Sequence, residues 1–157
     1  IDFQSINTYI DFVNIMTYDM DEAPKHHSAM YRSELTGDMS CEESVNAHLA
    51  AGISASKLVM GIPFYGRARG ELGRSANYGK IVTLEGYTQM WDDIAKCPYL
   101  VDSTGNIVCS YENPKSIEIK CRYVIENELR GIMYWEYSGD DENGTLRKSV
   151  YEGVFGR

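Results

Sequence analysis

Three stretches of the chain are apolar runs that break off into aromatic and charged residues: residues 11–19 (DFVNIMTYD), 57–67 (KLVMGIPFYGR) and 131–137 (GIMYWEY). Strands covered on both faces read as unbroken runs, whereas half-exposed strands alternate. The pattern predicts three parallel strands, with Tyr18 and Asp19, Tyr65 and Arg67, and Trp135 and Glu136 at their carboxyl ends. In a (β/α) barrel that rim is where functional side chains collect.

The segments between the strands carry helix and turn signals. Residues 26–39 are polar and irregular and read as a long loop at the rim. Ser40 then caps a helix with Glu42 and Glu43 in its first turn, apolar positions at Val45, Leu49 and Ala50, and Gly52 as its stop. A second helix runs from Pro114 to Leu129 with Ile117, Cys121, Val124, Ile125 and Leu129 as its buried stripe, and a closing helix is expected over residues 144–152. Residues 68–113 exceed what one connection needs and read as an insertion. Its expected elements are a Gly-rich entry at 70–79, a strand at 80–84, a helix at 87–96 and a hairpin turning at Asp102 to Asn106. The chain thus divides into barrel portions at 1–67 and 114–157 with an α+β insertion at 68–113.

Length decides how much of a barrel this is. A complete one needs about 250 residues, and this chain has 157, beginning at Ile1 without an initiator methionine. Three strands cannot close a barrel, so the expected fold class is α/β, a partial (β/α)8 barrel that belongs with a missing amino-terminal half. The open sheet edges would invite pairing, so a homo-oligomer is an expectation too. No apolar stretch approaches the roughly 20 residues of a membrane span.

Composition narrows the partners. With 43% hydrophobic residues the chain is too apolar for disorder. A net charge of −8 argues against nucleic acid, which selects clustered Lys and Arg. Twelve Tyr and two Trp suit a neutral ligand such as a carbohydrate, whose apolar faces lie on flat rings while hydroxyls fix its edges. Cys41, Cys97, Cys109 and Cys121 lack paired spacing and form no ligand pattern with His26, His27 or His48, so no metal or other cofactor is expected. Cys97 and Cys109 flank the hairpin, where a disulfide and two free buried thiols are both compatible with the spacing; Cys121 reads as a small core residue.

These motifs, in this order, resemble the carboxy-terminal half of a glycoside hydrolase family 18 catalytic domain, the chitinase family. Residues 16–19 (MTYD) are similar to that family's sixth-strand motif, 61–67 (GIPFYGR) to its seventh and 131–135 (GIMYW) to its eighth, while 111–117 (YENPKSI) resembles the return from an insertion between the last two. The resemblance implies substrate-assisted retaining hydrolysis of β-1,4-linked N-acetylglucosamine polymers, an exception to the two-carboxylate scheme. It implies catalytic roles for Tyr18, holding the acetamido oxygen, and Asp19; sugar contacts from Tyr65 and Arg67; an apolar floor from Trp135; and Met16 and Met133 packed beneath. Strand alternation turns Glu136 away from Trp135, a structural position. The family's Asp-x-x-Asp-x-Asp-x-Glu run, source of the general acid, is absent from this chain, and Asp140, Asp141 and Glu142 read as a solvated loop. The isolated chain is therefore expected to be inactive. The resemblance also implies a secreted or extracytoplasmic parent. A non-catalytic chitin-binding lectin, or a relative acting on peptidoglycan or N-glycan cores, fits the same motifs.

Overall fold

The computed structural model describes residues 2–156; Ile1 lies outside them. In chain order the elements are α1 (Phe3–Ile6), β1 (Val13–Ile15), α2 (Cys41–Ala50), β2 (Leu58–Pro63), β3 (Tyr65–Ala68), β4 (Ser75–Asn77), α3 (Tyr78–Ile81), β5 (Thr88–Asp92), β6 (Cys97–Val101), β7 (Ile107–Ser110), α4 (Pro114–Glu126), β8 (Gly131–Trp135) and α5 (Thr145–Phe155). They form two sheets. β1, β2 and β8 make a parallel three-stranded sheet in that order, with Val13 opposite Leu58 and Met60 opposite Ile132. The central strand is buried along its whole length, as its unbroken apolar run requires. No closed barrel forms among the described residues, which gives an α/β fold with an open parallel sheet.

The second sheet is antiparallel, in the order β4-β3-β7-β6-β5. Here the structure corrects the sequence reading at four places. The run 57–67 is two strands, not one: the chain leaves the parallel sheet after Pro63, turns at Phe64 and enters the other sheet at Tyr65. Phe64 makes the corner by stacking on Tyr134 at 4.3 Å and sending its amide to the Trp135 carbonyl.

The other three corrections lie within the insertion and the helix after it. The strand expected at 80–84 is instead the single helical turn α3, which buries Tyr78 and Ile81 three residues apart. The helix expected at 87–96 is strand β5 plus a turn, because the Asp92 carboxylate accepts the amides of Ile94 and Ala95 and so competes with helical hydrogen bonding. Finally, α4 stops at Glu126; Glu128 adopts φ +53° and Leu129 is buried beyond the helix end.

The 102–106 turn is where it was expected, and its register decides the cysteines. Cys109 lies opposite Leu100, while Cys97 pairs with Asp92. All four cysteines are buried and free, so the hairpin carries no disulfide. Ser40 caps α2 in a capping box with Glu43, and Gly52, at φ +101°, ends the turn after it.

Two apolar clusters share α4 between them. One joins Met30, Val45, Leu58, Met60 and Val124 under the parallel sheet; the other joins Phe64, Leu100, Cys109, Tyr111, Ile117 and Leu146 beneath the antiparallel one. Residues 26–30 of the irregular 26–39 segment are buried. One loop reading also changes: Asp140 is no solvated residue, for its side chain is buried and accepts the amides of Leu146 and Arg147 at 3.0 Å, capping α5.

Candidate active site

At the carboxyl end of β1 the backbone is held from several directions. Thr17 is fully buried; its hydroxyl donates to the Gly61 carbonyl at 2.6 Å, and its own carbonyl accepts from the Ser28 hydroxyl at 2.7 Å. Tyr18 follows, 8% exposed. Residue 61 must be glycine here: a Cβ would fall 2.6 Å from the Ile15 carbonyl and 2.8 Å from both Tyr18 Cε1 and Met133 Cε. That close approach brings Tyr18 and Met133 together, as expected. Met16, by contrast, points to the open side of the strand and is 68% exposed.

Asp19 adopts φ +60° and turns its carboxylate toward β3. One oxygen accepts from the Tyr65 hydroxyl at 2.7 Å and Arg67 Nε at 2.6 Å; the other accepts from Arg67 Nη2 at 2.5 Å. This is a two-pronged guanidinium–carboxylate pair, the geometry that fixes orientation as well as charge. The Asp19 amide donates to Nδ1 of buried His27 at 3.4 Å. Partial burial works against the Asp19 charge, but the hydrogen bonds from Arg67 and Tyr65, with the charge of Arg67, outweigh it and hold the carboxyl well below its usual range. Burial, reinforced by the hydrogen bond to Asp19, raises the Tyr65 phenol; burial and the charge of Asp19 raise Tyr18. Both tyrosines are therefore neutral donors at neutral pH.

Asp19, Tyr65, Arg67 and Trp135 line one open cleft of about 260 Å³, together with Ser75, Asn77 and Glu136. The structure thus brings together four of the seven residues singled out from the sequence, sets Tyr18 and Met133 beside Gly61 with the Tyr18 ring edge-on to Tyr65 at 6.2 Å, and leaves Met16 exposed. Trp135 is 57% exposed and presents its indole as an uncovered wall. Glu136 lines the same cleft as Trp135, so strand alternation fails as a guide there, because β8 ends at Trp135. Ser75 and Asn77 arrive on β4, paired against Tyr65 and Arg67. Nothing in their local sequence announced them, since their place follows from strand pairing.

A layer of buried polar groups under the rim also escaped the sequence reading. Lys120 on α4 and Glu112 before it form a fully buried ion pair at 2.5 Å. The signal was present: residue 120 falls on the apolar stripe with Ile117 and Val124, and a lysine there requires a buried partner. No group of metal-ligating side chains lies together among the described residues. The arrangement can grip a polar, uncharged ligand edge-on with phenol, guanidinium and carboxylate while an indole covers one of its faces.

The family model of glycosyl hydrolases family 18 matches residues 1–140. The chain is 30% identical to Chitinase A1 of Niallia circulans, covering 92% of this chain and 26% of that protein. A solved family 18 N-acetylglucosaminidase from Paenibacillus barengoltzii superposes with TM-score 0.84 at 30% identity, over 97% of this chain and 51% of that one. Chitinase ChiW from Paenibacillus sp. FPU-7 gives TM-score 0.87 at 31% identity, over 99% of this chain and 21% of that one. The chain spans about a fifth to a half of the length of these relatives, and it belongs to glycosyl hydrolase family 18.

Proposed function

We propose that the chain is the carboxy-terminal half of a chitinase-like catalytic domain that cleaves β-1,4-linked N-acetylglucosamine polymers. The observation that carries this reading is the single cleft shared by Asp19, Tyr65, Arg67 and Trp135, with the Tyr18 ring packed edge-on against Tyr65. In the proposed reaction the acetamido oxygen of the sugar attacks its own anomeric carbon. The Tyr18 phenol, kept neutral, donates a hydrogen bond to that oxygen, and the Asp19 carboxylate, kept ionised, balances charge that grows on the acetamido nitrogen and ring. Tyr65 and Arg67 hold Asp19 and the sugar edge, and Trp135 covers the sugar's apolar face.

The acid that protonates the leaving oxygen is not among these residues. It would come from an amino-terminal part of the barrel that also covers β1 and β8, whose outer edges are unpaired among the described residues. In this division, residues 1–67 and 114–157 are barrel and 68–113 shape the cleft wall. A polymeric extracellular substrate further places the parent outside the cytoplasm. Among the described residues, no helix is long and apolar enough to cross a membrane.

The test is a titration of the purified chain with chitotriose, followed by amide chemical shifts. Shifts at Tyr18, Tyr65 and Trp135, without hydrolysis of a chromogenic chitobioside, are the expected result. Turnover by this chain alone would refute the assignment of the acid to another segment, because general acid catalysis contributes roughly 10²–10⁴-fold.

A further inference from the structure

We propose that Lys120 is a positioning residue for the rim: through Ser28 and Thr17 it fixes the peptide that sets Tyr18 against Tyr65 and leads Asp19 into the cleft. Its ammonium has three N–H groups and three acceptors, namely the Glu112 carboxylate at 2.5 Å, the Ser28 carbonyl at 2.7 Å and the Ser28 hydroxyl at 2.7 Å. The Ser28 hydroxyl, accepting from Lys120, donates onward to the Thr17 carbonyl at 2.7 Å. The buried Cys41 thiol supports the same carbonyl at 3.4 Å. Thr17 is the residue before Tyr18, so the last link of this chain sets the plane of the Thr17–Tyr18 peptide. Glu112 is fixed in turn, since its second oxygen accepts from the Ser116 hydroxyl at 2.6 Å.

Energetics favour positioning over stability as the reason for this arrangement. A buried ion pair costs desolvation of both charges, and replacing one by apolar groups of similar volume is often neutral or stabilising. Lys120 and Glu112 are both fully buried. What an apolar pair cannot do is donate to Ser28. Lys120 is faced by Glu112, Ser28, Cys41 of α2 and Cys97 of β6; burial opposes its charge, and the Glu112 carboxylate, by charge and hydrogen bond, keeps it protonated. His27, next to Ser28 in the chain, lies against Asp19, so the same anchor steadies both sides of that residue. The consequence for catalysis rests on the chitinase reading above; the geometry does not.

The test uses two variants of the chain, Ser28→Ala and the paired change Lys120→Met with Glu112→Leu. The readouts are the melting temperature, the amide shifts of Tyr18 and Asp19, and the carbon-detected titration of the Asp19 carboxyl, which is faced by Tyr65 and Arg67 of β3, by His27 and by neighbouring Tyr18. In both variants the Tyr18 and Asp19 amides should move and the Asp19 titration should rise by about one pH unit as its hydrogen bonds loosen. The paired variant should melt no lower than the parent chain. Unchanged amides and titration in Ser28→Ala overturn the proposal, even if the paired variant fails to fold. A paired variant that melts lower yet leaves the Asp19 titration in place overturns it as well. Chitotriose binding is measured alongside: absence of binding in the unaltered chain would count against the chitinase reading while leaving the positioning result standing.

Discussion

Two ion pairs lie one above the other in this molecule and behave as opposites. At the rim, Arg67 and Asp19 are 29% and 39% exposed, open to solvent and to a ligand. Beneath them, Lys120 and Glu112 are wholly excluded from water. A pair in contact with water contributes about 0–1 kcal/mol, because solvent screens it and side-chain entropy opposes it. A pair sealed in the interior leaves an uncompensated charge if one member is removed, at a cost of about 3–5 kcal/mol. The rim pair is therefore adjustable and suited to exchanging partners with a polar ligand, while the lower pair is sealed from such exchange.

The largest effect should come from breaking the lower pair on one side. Lys120→Ala is expected to destabilise the chain by about 3–5 kcal/mol in denaturant unfolding, since Glu112 would be left charged and buried. Next is Gly61→Ala, whose methyl would meet the Ile15 carbonyl at 2.6 Å as well as the Tyr18 ring. Overpacking against backbone costs about 1–3 kcal/mol, and displaced Tyr18 resonances should accompany the lower melting temperature. Arg67→Ala should change stability by under about 1 kcal/mol while releasing the Asp19 carboxyl toward its ordinary range, visible by carbon-detected titration.

The smallest effect is a pH dependence. Because Asp19 has a depressed folded-state pKa, its contribution to stability is present above the unfolded value near 3.9 and is lost as pH falls below it. The stability difference between the parent chain and Asp19→Asn should be flat from pH 7 to about 5 and shrink below about pH 4. A difference that grew on acidification would contradict the hydrogen-bond pattern around Asp19.

The same contrast between rim and base explains what could be read in advance. Tyr18, Asp19 and Trp135 were legible as residues at the carboxyl ends of parallel strands because unbroken apolar runs announce such strands, whereas Tyr65 and Arg67, read on the same run as β2, stand on β3 of the other sheet. The insertion was read less well. Residues 87–96 have the spacing of a helix, yet β6 offered Thr88 through Asp92 a ladder to pair with, and the Asp92 side chain closed the turn. Asn77 and Ser75 reached the cleft by pairing with β3, an event between segments about ten residues apart that no local window contains. The mistaken solvated reading of Asp140 has a similar origin, since its burial depends on α5 folding back over it.

By itself the sequence determined that three apolar segments contribute parallel strands and where α2 and α4 begin, because these depend on periodicity and capping over a few residues. Only the tertiary structure decided that the 57–67 run splits between two sheets at Phe64, that Glu136 shares the cleft with Trp135, and that Lys120 stands under Thr17. Those outcomes depend on contacts between residues as many as 92 positions apart, such as Lys120 with Ser28, and local pattern carries no information about which distant partner will complete a buried charge.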